Sequence, residues 1–346
     1  MSTWSQSSRR PRADAALLVF GLGVVALTIL GIGLGASFMP PDRVLQALLG
    51  EAPRTDEIIV WTLRMPRVAL ALLAGAALAL AGAILQRVTR NPLAAPSVLG
   101  ITDGAALGVV VFLWLFSNES NTLRVSIHWQ PVAAILGATV FAVLVAALTI
   151  ADPRGRGPLS VILYGIALAA LAKAAVTMLM ILGPVYRAGQ AMTWMTGTVG
   201  AAHWSDAATL AMALAVAVPV LWVASRALGQ MRLDDDSAVA TGLSLVAAQA
   251  AFLALAVVLT AVAVAHAGAI GFVGLTAPHA ARLIIGDGGR AFLCATALAG
   301  AGLVLGADII ARVIAPPLEL PAGALTALIG APLFLYLLVR RSAIHA

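Results

Sequence analysis

Two arginines stand one helical turn apart around a proline in the stretch WTLRMPR, Trp61 to Arg67. A guanidinium is a planar, permanently charged fork that suits paired hydrogen bonds to a carboxylate. Arg64 and Arg67, at i and i+3, fall on one face of a helix, and the residues that follow, VALALLAGAALALAGAILQ, are almost wholly apolar. Snorkelling at a helix end accounts for a single arginine in such a place. A pair flanking a proline reads equally as a docking point for acidic groups, and Arg312, at the end of a later apolar run, is a third candidate.

Lys173, the only lysine, falls within another apolar run, where a charge needs an ion-pair partner or a water-filled cavity. Asp103 and Asp308 are the candidate partners, and a pathway accepting an anionic solute is the other reading. In GQMRLDDDSAVATGLSLVAAQ, residues 229–249, Asp234 to Asp236 can cap a short helix and complement its dipole. Gly242 can end that helix before Ser244 starts another. Two short capped helices here make a binding surface for a cytosolic partner, against the plainer reading of a solvated loop. In RNPLAAPSVLGITDGAALG, Arg90 to Gly108, two prolines and Asn91 break a helix and make a turn between spans. Such a turn either simply reverses the chain or, near membrane depth, lines a cavity. His279 lies in GAIGFVGLTAPHAARLIIGDGGR as a packing residue. The five histidines show no metal-ligand spacing, no Ser/His/Asp pattern stands out, and nothing matches a phosphate-binding G-x-x-x-x-G-K-[ST] loop.

The elements that carry these residues are membrane spans. Of 346 residues 61% are hydrophobic and 10% charged, with a mean hydropathy of +1.00, whereas a soluble domain is roughly a quarter charged. Runs of ~20 apolar residues cross a hydrocarbon core. Ten can be drawn, at 15–36, 67–86, 97–116, 131–150, 159–182, 207–225, 245–265, 269–285, 291–311 and 320–339. The first exceeds a signal-peptide core and reads as a retained span after a cytoplasmic tail, residues 1–14. The net charge of +6 is spread over loops, which argues against nucleic acid, and Cys294 alone can form no internal disulfide. An even span count puts both termini on one side. Placing them inside gives thirteen inner arginines against seven outer, the sense of the positive-inside rule, and makes Arg64, Arg67 and Arg312 external. The fold class is therefore all-α, a polytopic helical membrane protein.

The segments LRMPRVALALLAGAALALAGAILQ, RNPLAAPSVLGITDGAALG, WMTGTVGAAHW, GFVGLTAPHAARLIIG, ADIIAR and ELPAGALTALIGAPLFLYLL together resemble the FecCD family, permease subunits of type II ABC importers for iron chelates, haem and cobalamin. The resemblance runs from near residue 60 to the C-terminus. It implies one transmembrane permease domain over 1–346 in a bacterial inner membrane. It also implies two permeases around a central pathway, here a homodimer, with two cytosolic ATPases and a substrate-binding protein docked outside. No cofactor is expected in this chain, because ATP and Mg belong to the partner ATPase, and the chain itself is not an enzyme. By the same resemblance Arg64, Arg67 and Arg312 receive acidic residues of the binding protein. The loop at 229–249 resembles the coupling helices, which assigns Arg232, Asp234, Asp235, Asp236, Ala240, Gly242 and Leu243 to ATPase contact. The Asn-Pro-Leu turn resembles a cytoplasmic gate, at Asn91 and Leu93. A second gate transfers to Gly157 and Pro158, although DPRGRGPLS departs from the pattern in residue type. Lys173 and the DGGR ending, where relatives carry a small polar residue and Asp-His-Arg, are further departures. An iron complex is the expected cargo, with haem favoured for its propionates beside Lys173. A cobalamin importer and an ion-coupled secondary transporter are the rivals, the latter lacking a midplane carboxylate pair.

Overall fold

The computed structural model describes residues 9–35, 37–117, 123–152, 158–182, 185–314 and 318–345. The chain runs through α1 (Arg9–Gly33), α2 (Pro41–Leu49) and α3 (Arg54–Glu57). A π-helical turn, Ile58–Arg64, leads from α3 into α4 (Met65–Val88). Then come α5 (Ile101–Phe116), α6 (Gln130–Ala151), α7 (Pro158–Leu182), α8 (Val185–Thr196), α9 (Trp204–Val223), α10 (Ser225–Gln230) and α11 (Asp235–Ala240). The last four are α12 (Leu245–Ala267), α13 (Val273–Ile285), α14 (Gly289–Ile314) and α15 (Ala322–His345). Seven helical stretches among the described residues are long and apolar enough to cross a membrane, and three shorter apolar helices, Ile101–Phe116, Val273–Ile285 and Ala322–Tyr336, fall at the remaining expected spans. The architecture is the expected polytopic helical one.

α4 is the axis of the fold, buried along most of its length and packed against α14, α12, α13 and α9. Helices have little hydrophobic drive to associate in lipid, so close backbone approach decides who packs with whom. A Cβ at Gly75 would overlap the Gly300 carbonyl, and one at Gly82 the Gly274 carbonyl. The small residues of AGAALALAG thus bring α14 and α13 into backbone contact with α4.

Several boundaries differ from the periodic reading. The second span does not start at residue 67 but continues from α3 through the π-turn. Pro66 has no N–H and its ring crowds the preceding carbonyls, so the turn before it widens. The eighth span, expected over 269–285, is helical only from Val273, because Gly268 (φ +70°) ends α12 and Phe272 (φ +65°) forces a second corner. At 1.5 Å per residue α13 is about 20 Å long, and its first turn packs beside Gly82, in the last third of α4. α1 begins at Arg9, inside the tail expected at 1–14. Two short helices do mark the 229–249 region, but they are α10, starting at Ser225, and α11. The helix that follows Ser244 is the long span α12, not a second short one.

Candidate functional site

At one end of the bundle Arg64, Arg67 and Arg312 converge, but on internal acceptors. All three are buried, at 7%, 7% and 6% exposure, so the expected open landing site is closed in this structure. Arg64 donates to the carbonyls of Ile32 (2.6 Å), Gly33 (2.9 Å) and Ser37 (2.6 Å). Arg312 donates through Nη1 to Gly31 O and Leu34 O, both at 3.1 Å. Apart from Ser37 O, which lies beyond the helix, these carbonyls belong to the last turn of α1 and the residue after it, at the negative end of its dipole. Two guanidinium groups therefore cap α1 from neighbouring helices.

Arg67 takes a different direction. Its Nη2 lies 2.9 Å from Asp308 Oδ1 and its Nη1 donates to Glu319 Oε1 at 2.9 Å. Arg312 Nη2 shares Asp308 through Oδ2 at 3.1 Å. Arg64 and Arg67, joined by ordinary helical backbone, reach different neighbours, one the end of α1 and the other α14. Asp308 is almost fully buried, whereas the Glu319 side chain is 58% exposed. Glu319 is the solvent-facing member of the network.

The same end carries a belt that the sequence reading left unassigned. Trp61 Nε1 donates to Ala47 O and Trp204 Nε1 to Trp61 O, tying α2, the π-turn and α9 together. Asp206 accepts from the His203 backbone N–H at 2.8 Å and meets His266 Nδ1 at 2.9 Å, joining the start of α9 to the end of α12.

At the opposite end, the turn after α4 meets the α10–α11 region. Arg90 adopts a left-handed conformation, φ +48°, which ends α4. Its Nε donates to Met231 O at 3.0 Å and its Nη2 pairs with Asp235 at 2.7 Å. Asn91 Oδ1 accepts from the Leu93 N–H at 2.9 Å and sets the turn, leaving Leu93 exposed. The expected gate residues Asn91 and Leu93 thus lie one and three residues from a direct bond to the expected coupling segment. Gly157 lies outside the described residues, and Pro158 opens α7.

The coupling candidates form an exposed surface. Arg232, Asp234, Asp235, Asp236, Ala240 and Gly242 are exposed, Leu243 is half-buried, and Leu233 and Val239 add apolar area. Ser237 Oγ donates to Asp234 at 3.1 Å, and that bond holds the Asp234 carboxyl below the usual carboxylate range. Gly242 at φ +86° ends α11 as expected.

Asp287, in the loop that departs from the familiar motif, is the hub behind this surface. It pairs with Arg87, with Arg232 Nη2 at 3.0 Å and with Arg282 Nε at 3.1 Å. Glycines with positive φ at 286, 288 and 289 let so short a loop turn its carboxylate back into the bundle. The next residue, Arg290, stacks on Trp222 with 4.8 Å to the ring centroid. The hub escaped the sequence reading, where Arg87 and Arg282 counted only as inner positive charge and Arg232 as an ATPase contact. The available signal was a lone acid among them.

Lys173 pairs with Asp103 at 3.7 Å, while Asp308, the other candidate partner, is taken by arginines. The Lys173 side chain is 68% exposed on the isolated chain. Among the described residues no group of three or more His, Cys, Asp or Glu could hold a metal ion.

The family model described as the FecCD transport family matches residues 23–340. The chain is 42% identical over 327 residues to the "Probable siderophore transport system permease protein YfhA" of Bacillus subtilis (strain 168), covering 94% of each chain. It is 38% identical to the Fe(3+)-citrate import system permease protein YfmE of the same organism, over 98% of each. It is 40% identical to the cobalamin import system permease protein BtuC of Halobacterium salinarum, over 83% of this chain and 74% of that one. A solved structure described as an inward-facing, metal-chelate type ABC transporter superposes with a TM-score of 0.81 at 27% identity, covering 94% of this chain and 99% of that one.

Proposed function

We propose, from the premise that the chain belongs to the FecCD transport family, that it carries a ferric chelate, a siderophore or citrate complex, inward across a bacterial inner membrane. The coarser role is a permease subunit of an ABC importer, not an enzyme, with ATP hydrolysis left to a separate subunit. The siderophore and ferric-citrate permeases among its relatives support the cargo. The preference for haem rested on Lys173 alone, and that residue suits any anionic chelate. Cobalamin is the second reading, favoured by the 40% identical cobalamin permease.

The observation that carries the mechanism is Arg90, bonded through Nε to Met231 and through Nη2 to Asp235. The α10–α11 surface faces the cytosol and seats the ATPase. Displacement of α11 pulls on Arg90 and so on the Asn91–Leu93 turn beside it. ATP-driven motion below thus reaches the gate through one side chain.

A second copy of the chain completes the pathway. α7 is largely exposed on its own and carries Lys173 outward. An intramembrane ammonium needs water or a partner; beside Asp103 the Lys173 side chain still stays 68% exposed, which supports assigning α7 to the pathway wall. On the outer side the binding protein docks over Glu319, where an incoming carboxylate exchanges with Glu319 on Arg67. Arg64 and Arg312 hold the α1 end that frames this point.

The test is ATPase activity of the permease–ATPase complex in nanodiscs, with binding protein loaded in turn with ferric siderophore, ferric citrate, haem or cobalamin. Stimulation by a siderophore or citrate complex is expected. Stimulation by cobalamin alone overturns the cargo, and no stimulation by any loaded form overturns the importer reading.

A further inference from the structure

Behind the α10–α11 surface lies a cavity of about 210 Å³ lined by Gln86, Arg87, Arg90, Arg232, Arg282 and Asp287, with Pro92 at its edge. Four guanidinium groups face it and one carboxylate lies among them. Even with Asp235 counted for its bond to Arg90, the positive charge exceeds the negative by two. Asp287 is already divided among Arg87, Arg232 and Arg282. The Arg87 side chain is 6% exposed, so its charge is screened weakly by solvent, and beyond Asp287 it is offset by the Phe292 ring, 5.3 Å from Cζ. Gln86 cannot add negative charge, and its Oε1 already accepts from Arg282 at 3.0 Å.

Like charges gathered in a partly desolvated concavity repel unless an anion joins them. The arginine forks come from α4, the turn after it, the segment before α11, and α13, and they approach the cavity from several directions. A single planar carboxylate meets two such forks well, whereas a tetrahedral oxyanion presents oxygens to all of them. The volume accommodates a phosphoryl group with room for water.

We propose that this cavity is a binding site for a phosphate-class oxyanion, held by Arg87, Arg90, Arg232 and Arg282, with Asp287 as the internal competitor that fills part of the site when the anion is absent. Occupancy ties α4, α13 and the α11 segment together at the point where they meet. The oxyanion comes either from free phosphate in the cytosol or from the headgroup of an anionic phospholipid reaching the bundle end.

The experiment uses the full chain, delipidated in a non-ionic detergent, with inorganic phosphate titrated against chloride at matched ionic strength and binding read by calorimetry. A parallel arm measures retention of phosphatidylglycerol by native mass spectrometry. Saturable phosphate binding without lipid retention assigns the free anion, and selective phosphatidylglycerol retention assigns the headgroup. In either case Arg282→Gln and Arg90→Gln should weaken binding by tenfold or more, while Asp287→Asn should tighten it severalfold. That opposite sign separates a ligand site from a structural salt-bridge cluster, in which every substitution only weakens. If Asp287→Asn does not fold, unchanged affinity in both arginine variants overturns the proposal. Absence of both phosphate binding and lipid retention overturns it too, including where Arg282→Gln releases the ATPase, since the cavity then serves a protein carboxylate.

Discussion

Replacing Asp308 by Asn should destabilise the protein by about 3–5 kcal/mol, the cost of breaking a buried ion pair from one side. The carboxylate bridges Arg67 (Nη2 2.9 Å) and Arg312 (Nη2 3.1 Å) at 1% side-chain exposure. Asparagine keeps its shape but removes the charge, and it can turn an NH2 donor toward guanidinium donors. Arg67 retains Glu319 as counterion. Arg312 retains only carbonyls, including those of Gly31 and Leu34 at the end of α1. The loss should therefore fall mainly on Arg312 and on its grip on α1. Unfolding by sodium dodecyl sulfate in mixed micelles, followed by tryptophan fluorescence, gives the free-energy change. Arg312→Gln in the Asp308→Asn background should cost much less than it does alone, because the cation it removes has already lost its partner. A loss under about 1 kcal/mol, the range of a solvent-exposed pair, would show that Asp308 is not a buried counterion to Arg312, as would strict additivity of the two substitutions.

Glu319→Gln breaks a pair whose acid is exposed, so stability should change by less than about 1 kcal/mol, while affinity for the binding protein rises; weaker docking in a binding titration would remove Glu319 from the exchange described above. Arg90→Ala and Arg90→Gly both delete the bonds to Met231 and Asp235 and should both uncouple ATP hydrolysis from uptake. Glycine relieves the left-handed backbone at φ +48°, so Arg90→Gly should be the more stable of the two by about 1 kcal/mol; the reverse order in denaturant titrations would contradict that conformation. Gly75→Val drives a side chain into the Gly300 carbonyl and should abolish a monodisperse peak in size-exclusion chromatography, whereas Gly229→Val, where a Cβ would meet nothing within 4 Å, should leave it intact.

The spans were legible because lipid demands ~20 apolar residues for each crossing, and α4, α7 and α12 obey that rule. Where the chain departs from it, periodicity had nothing to report. α13 is short because Gly268 and Phe272 take positive φ, and a phenylalanine in that conformation carries no compositional mark. The convergence of Arg64, Arg67 and Arg312 followed from motif resemblance, but their burial did not, because the acceptors are backbone carbonyls at the end of α1 and an acid 241 positions from Arg67. Pro66 hinted at a distortion in the turn before it but not that the helix would run on through that turn from Arg54. The Asp287 hub was hidden for a similar reason. Its arginines come from three segments, and only tertiary packing brings Arg87, Arg232 and Arg282 to one carboxylate.

ATP-driven inward transport of a ferric chelate is measured most directly as accumulation of radioactive iron in proteoliposomes. The permease is reconstituted with its ATPase, and binding protein loaded with ferric siderophore is supplied outside. Accumulation should require ATP and the binding protein and disappear when the ATPase is catalytically inactive. Uptake that persists without ATP and follows an imposed ion gradient would contradict ATP-driven transport.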